Sequence, residues 1–337
     1  MADKNIGGQA VLEGVMLREG KSGRVAIANR MPNGKIHITE RTLTPIAQKN
    51  KFFSFPIVRG VVSFVDSLFV GMKTLMDSAE LVGEDEEYKP SKFEKFLAEK
   101  LKIKVDDVVM GLGVLLGLGL ALLLFTFLPT FITGFLKDII KSKIVLSLIE
   151  GLIKIGIFIA YVLFAAKQKD VKRVFMYHGA EHKTINCYED DCELTVENVR
   201  NHTRIHPRCG TSFMFYVMFV SIILFAFIPW NYVSLRVLYK VLLLPVVAGI
   251  SYEIIRFSGK SKSKFVRALS VPGTLLQKIT TAEPDDKQIE IGIASLKTLL
   301  GEHVDGTDEE EEIVEEVNSD IEPVEEIQED GTEDIQE

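Results

Sequence analysis

His178 and His182 stand four residues apart, with Glu181 just before the second, in the stretch HGAEHK. Residues at this spacing share one face of a helix, so two imidazoles can reach a single ion while Glu181 occupies the adjacent edge. The order His-x-x-Glu-His is that of the inverzincin metallopeptidases, in which the glutamate is the general base. A second chelating pair follows in HPRCG, residues 206–210. It has the form of a zinc knuckle, Cys-Pro-x-Cys-Gly, with histidine in the first ligand position. Proline fixes φ after the first ligand, and glycine lets backbone amides turn toward the thiolate. The candidate ligands are therefore His178, His182, His206 and Cys209. Zinc, or another divalent transition metal, is the cofactor that imidazole plus thiolate favours.

Ligand number decides what such a metal does. With all four residues bound the site is closed and structural. With one ligand off, water fills the fourth position and Glu181 can act as its general base. Cys187 and His202 are spare candidates, and Cys192 sits in an acidic turn. Arg204 and Arg208 beside the knuckle can hold an anionic substrate group, or neutralise Glu189, Asp190 and Asp191.

These residues lie in one polar loop, 167–211, between apolar stretches. Val171, Val174, Phe175, His178, Glu181, His182 and Ile185 follow a helical period, so a helix can run on from the preceding apolar segment. Thr195 in LTVENVR is the expected N-cap of a short helix leading back to the knuckle. Four stretches approach the roughly 20 apolar residues that a bilayer requires: about 108–135, 144–166, 212–234 and 237–255. Glu150 and Lys154 in the second are spaced to neutralise each other, and Glu253 at the end of the fourth is spaced to pair with Arg256 or to supply a further ligand.

The fold class expected is an α-helical integral membrane protein of about four transmembrane helices, with a small N-terminal antiparallel β-meander and a cytosolic metal-binding loop. Residues 1–50 form the β-rich segment, in which QAVLEGVMLRE, RVAIANRM and KIHITERTL read as three strands broken by GKSG and PNG. GGQAVLEGVM reads as a strand entered through a Gly-Gly turn; its Gln9 and Glu13 can alternatively lie against the metal loop. Residues 51–107 hold an apolar helix with a polar stripe (Arg59, Asp66, Lys73), suited to lying on the bilayer or against membrane helices, and a charged connector. Transmembrane helices 1 and 2 occupy 108–166, the metal-binding loop 167–211, and helices 3 and 4 212–257. Residues 258–301 contain a Pro-Gly turn and an amphipathic helix from about 285 to 300. Residues 302–337 are an acidic tail expected to be disordered.

The net charge of −8 conceals a basic body. Residues 302–337 carry 18 acidic groups and no Lys or Arg, leaving 39 basic against 29 acidic residues before them, a net of +10. The basic residues flank the apolar segments, so they mark membrane orientation and give no reason to invoke nucleic acid. Their excess places the N-terminal segment, the loop 167–211 and the C-terminus on the cytoplasmic side of the cell membrane. Three clustered cysteines fit a reducing compartment or a metal, not a disulfide framework. No secretory signal is expected from the first residues.

Six motifs in order, GGQAVLEGVMLR, VRGVVSFVDSLFVGMK, YHGAEHKTINCYE, LTVENVR, HPRCGTSF and LLQKITTAEPDD, resemble the YqhQ family of bacterial multi-pass membrane proteins. The resemblance covers about residues 6–300. Its members are described as proteins of unknown function and sometimes as predicted metal-dependent enzymes. By this match His178, Glu181, His182, His206 and Cys209 are the motif positions, and Gly7, Gly8, Gln9 and Glu13 belong to the N-terminal signature.

Three functions stay open at this level. The first is a membrane-embedded metal-dependent hydrolase with Glu181 as its catalytic residue, acting on a small-molecule or peptide substrate. The second is a non-catalytic adaptor whose structural zinc loop docks a protein partner. The third, a transporter built on Glu150, Lys154 and Glu253, lacks the repeats and broken helices of a carrier. The lipid bilayer is the partner common to all three.

Overall fold

A computed structural model describes residues 6–309, apart from 21, 44–45, 47–50, 84–90, 102–104, 259–263 and 305–306. The β-rich segment is a four-stranded antiparallel meander: β1 (Ile6–Val11), β2 (Gly14–Glu19), β3 (Arg24–Arg30) and β4 (Ile36–Thr42). Four strands replace the three expected because QAVLEGVMLRE folds on itself at Leu12-Glu13. Glu13 takes a left-handed φ of 49° there. The cost of that conformation is offset by contacts from Arg173 and Tyr177, whose hydroxyl donates to Glu13 Oε2 at 3.0 Å. Gly7 and Gly8 lie inside β1 and not in a turn.

Among the described residues, eleven α-helices place the sheet and the apolar body. Helix α1 is Val58–Val82, α2 is Lys92–Leu101, and α3 (Val105–Leu122) runs through a π turn at Leu123–Phe127 into α4 (Leu128–Gly134). Helices α5 (Lys143–Ala165) and α6 (Lys169–Glu189) are separated at Gln168, whose extended ψ of 134° breaks the continuous helix expected there. Then come α7 (Val196–Asn201), capped by Thr195 as expected, α8 (Gly210–Phe225) and α9 (Val233–Ser258). Last are α10 (Lys264–Thr280) and α11 (Asp286–Leu299), the latter opening with an Asp285–Gln288 capping box. The anticipated Pro-Gly turn is absent: Pro272 and Gly273 sit inside α10, and Gly273 presses its backbone onto Ser212 of α8.

Both faces of the sheet are covered, which is why β2 and β3 are buried along successive residues instead of alternating. Val15, Leu17, Ala26, Ala28 and Ile38 meet Tyr177 and Ile185 of α6 and Ile291, Ala294 and Leu296 of α11. On the other face Val11, Met16, Val25 and Ile27 meet Val70 of α1. The first part of the acidic tail adds a short parallel edge strand, β5 (Thr307–Glu309), beside β4. That part is ordered, against the expectation for the whole tail; residues 310–337 lie outside the described residues.

Among the described residues, three helical stretches are long and apolar enough to cross a membrane: Val108–Gly134, Lys143–Ala165 and Val233–Phe257. The remaining expected span is a shorter apolar helix, the 16 residues of α8. Two ion pairs differ from those the sequence spacing suggested. Glu150 pairs with Arg236 and Lys240 of α9 and accepts from Thr130 at 2.6 Å, while Lys154 donates to Ser221 at 3.0 Å. Glu253 pairs with Arg59 of α1 and, among the described residues, joins no metal cluster; Arg256 acts on it only as a nearby positive charge. In both cases a neighbouring helix offers a better-aligned cation than the local turn does.

Candidate metal centre

Helix α6 presents His178 and His182 on one face, one turn apart, with ring centroids 4.4 Å from each other. Cys209 arrives from another element as the N-cap of α8, where its sulfur accepts from the Thr211 amide at 3.5 Å. One donor atom each of His178, His182 and Cys209 lies within 4.8 Å of the other two.

The imidazoles are oriented by backbone carbonyls. His178 Nδ1 donates to Thr280 O at 2.9 Å, and His182 Nδ1 donates to Arg204 O at 2.6 Å. Since a carbonyl only accepts, both Nδ1 atoms carry the proton and Nε2 is left as the lone-pair donor. Nε2 of His178 stands 3.2 Å from Cys209 Sγ. Nε2 of His182 is buried without a hydrogen-bond partner, and burial holds this imidazole below its ordinary pKa. Two imidazole Nε2 atoms gathered beside a thiol are a donor set suited to a divalent transition metal, so these residues fit such an ion.

The segment after α10 closes over this face. Ala282 N donates to Phe175 O at 2.8 Å, Arg204 donates to Thr281 O at 2.7 Å, and Lys183 pairs with Glu283 at 2.6 Å. Gly179 permits the approach, because a Cβ there would lie 2.1 Å from Ala282 O. These carbonyls, Gly179 and Gln277 were not identified as site residues from the sequence. LLQKITTAEPDD, one of the motifs that carry the family resemblance, is the available signal, but backbone acceptors leave no mark in residue type.

Glu181 is buried, with no partner for Oε2. Its carboxyl is pushed above the usual range by burial, an effect that nearby His178 and His206 oppose. Its other oxygen faces β1, where a Cβ on Gly8 would come within 2.8 Å of Oε1. Of the other signature residues, Gln9 donates to Gly71 O of α1 at 3.1 Å, away from the metal loop, whereas Glu13 reaches α6.

His206 is buried beside this group without joining it. Its ring centroid is 5.7 Å from that of His182, and its Nε2 faces Glu189 Oε2 at 3.5 Å. Gln277 clamps its peptide from both sides, accepting from His206 N at 2.8 Å and donating to His206 O at 2.7 Å. The spare candidates have other engagements. Cys187 is buried against Glu193 O with its thiol pushed up to about 11 by burial, and His202 bonds Asn198 O. Cys192 is exposed, and Arg208 pairs with Glu189.

Comparison with known proteins supports the resemblance that the motifs carry. The family described as "Protein of unknown function (DUF1385)" matches residues 55–302. The chain is 35% identical over 297 residues to "Uncharacterized protein YqhQ" of Bacillus subtilis (strain 168), spanning 87% of this chain and 92% of that protein. No solved structure matches. With most of both chains aligned at this identity, the protein belongs to the DUF1385 family, the YqhQ proteins, whose function is unknown.

Proposed function

We propose that the protein is a membrane-bound, metal-dependent hydrolase whose site opens on the cytoplasm. The observation that carries this reading is the convergence of three donors, His178, His182 and Cys209, with an unpartnered buried carboxyl, Glu181, beside them. Three protein ligands are the number that leaves a coordination position for water or substrate. A divalent metal held there would supply Lewis acidity and lower the pKa of a water. The chain's own contribution is orientation and proton transfer. Thr280 O and Arg204 O fix the two imidazoles, Cys209 offers its sulfur from the N-cap of α8, and Glu181, its carboxyl lifted by burial, can take and return a proton.

The fold supports a cytoplasmic site through parity. The sheet, α6 and α11 share one core, so the N-terminal segment, the loop 167–211 and residues 286–299 lie on one side of the bilayer. An even number of crossings is then required, which makes α8 the fourth. Its 16 residues span about 24 Å, short of a hydrocarbon layer of about 30 Å. Arg236 accommodates the difference by donating to the carbonyls of Phe225 and Ile228 at the end of the helix, where backbone acceptors run short of amide partners. The basic flanks assign the shared side to the cytoplasm.

His206, one ring away from His182, motivates a second reading: a closed four-ligand zinc clip on a non-catalytic adaptor with a protein partner at the loop. Glu181→Gln separates the two. The hydrolase reading expects this variant to keep its fold and metal while losing hydrolysis of a panel of chromogenic ester, amide and phosphodiester substrates. Loss of metal in Glu181→Gln, or wild-type protein that is loaded yet inert on the whole panel, would count for the clip.

A further inference from the structure

We propose that α1 is an in-plane membrane helix: it lies in the cytoplasmic headgroup layer with Phe64, Val65, Leu68, Phe69, Leu75 and Met76 facing lipid, and it suspends the sheet from the bilayer. These six residues are 38–61% exposed and recur at helical spacing along one face. They form a continuous apolar stripe of the kind that a water-exposed helix does not carry. The opposite face is committed to protein. Asp66 pairs with Arg18 at 3.3 Å, Asp77 pairs with Arg41, Gly71 O accepts from Gln9, and Thr74 and Ser78 are buried.

The contacts along α1 fix its direction. At its start, a Cβ on Gly60 would lie 2.9 Å from Gly249, Arg59 holds Glu253, and Phe64 packs on Phe213 with centroids 5.5 Å apart. Gly249 and Glu253 are near the end of α9, and Phe213 is near the start of α8. Because these two helices run in opposite directions, all three partners belong to one end of the apolar bundle. From Asp66 onward the partners are sheet residues instead. A helix crossing the bilayer would follow α9 along its length; α1 leaves the bundle at its cytoplasmic end and runs beneath the sheet.

The occupant of the free face is lipid, because that face continues the exposed apolar surface of the spanning helices. Phe52 and Phe55 precede it, and α2 adds Phe93 and Phe96 beside Lys92, Lys95 and Lys100. Apolar residues flanked by lysines suit an anionic bilayer surface. The inference stands independently of the metal and of the proposed hydrolysis. One consequence is that the metal centre lies at the membrane surface, since Cys209 caps a helix that enters the apolar layer.

The test is depth-dependent quenching in the full chain, reconstituted in nanodiscs containing anionic lipid and phosphatidylcholine brominated at a shallow or a deep acyl position. Tryptophan is placed singly by Phe64→Trp, Leu68→Trp and Leu75→Trp, with the wild-type signal of Trp230 subtracted. All three should be quenched, more by the shallow bromines, at one common depth. Residues 64 and 75 would differ in depth by about 16 Å in a transverse helix, so a graded profile overturns the proposal. Absence of quenching at all three positions also overturns it and points to a second copy or another protein as occupant.

Discussion

Replacing Gly179 by alanine is a severe test of how the site is assembled. The added Cβ would lie 2.1 Å from the carbonyl oxygen of Ala282, whereas ordinary contact begins near 3.4 Å. The clash is with backbone, so no side-chain rotation relieves it, and α6 and residues 280–282 must separate by roughly 1 Å. Overpacking of this kind costs about 1–3 kcal/mol. The same movement lengthens two hydrogen bonds, Ala282 N to Phe175 O at 2.8 Å and His178 Nδ1 to Thr280 O at 2.9 Å, each contributing about 0.5–1.5 kcal/mol. These amounts are a sizeable part of the 5–15 kcal/mol typical of a domain. Losing the carbonyl that orients a ligating histidine should also weaken metal binding by about 10–100-fold. The assay is urea unfolding of the metal-free protein in detergent, together with zinc titration against a chromophoric chelator. Gly179→Ala with wild-type midpoint and wild-type affinity would show that neither the tight approach nor the Thr280 carbonyl matters.

Three other outcomes follow. Glu150→Ala leaves Arg236 and Lys240 buried without their shared carboxylate and should destabilise by about 3–5 kcal/mol; an unchanged melting temperature in detergent would show the pairs to be dispensable. With its thiol near 11, Cys187 should be about one part in a thousand thiolate at pH 8, so alkylation followed by peptide mapping should label exposed Cys192 and leave Cys187 untouched. The sign for stability follows from the same shift. The folded thiol binds its proton more tightly than the unfolded one, so Cys187 contributes its stability below about pH 9 and loses it as pH rises toward 11, which unfolding midpoints of wild type against Cys187→Ala would register.

What the sequence revealed and what it concealed divide along the reach of the interactions. Local signals were readable: the spacing of His178 and His182, the Thr195 cap, the strand runs around GKSG and PNG, and the helix at 285–300 all depend on neighbours within a few residues. Glu13 at a turn was not readable, since a glutamate at positive φ is tolerated only through Arg173 and Tyr177, 160 and 164 residues away. The same holds for Glu253, taken by Arg59 across 194 residues, and for Glu150, taken by α9 in preference to Lys154. HPRCG illustrates both sides. Its form suggested two ligands from one knuckle, but Gln277 holds the His206 peptide while the chain enters α8 at Cys209, so the pair is drawn toward different neighbours.

Three side chains from α6 and the start of α8, His178, His182 and Cys209, are proposed to hold one transition metal. The most direct measurement is metal content with X-ray absorption spectroscopy of the purified full-length protein, beside His182→Ala and Cys209→Ser. A single metal per chain is expected, with two imidazole nitrogens, one sulfur and one light exchangeable ligand, lost from both variants while the fold persists. Well-folded wild-type protein that takes up no metal, or Cys209→Ser that keeps a full complement with unchanged ligation, would contradict it.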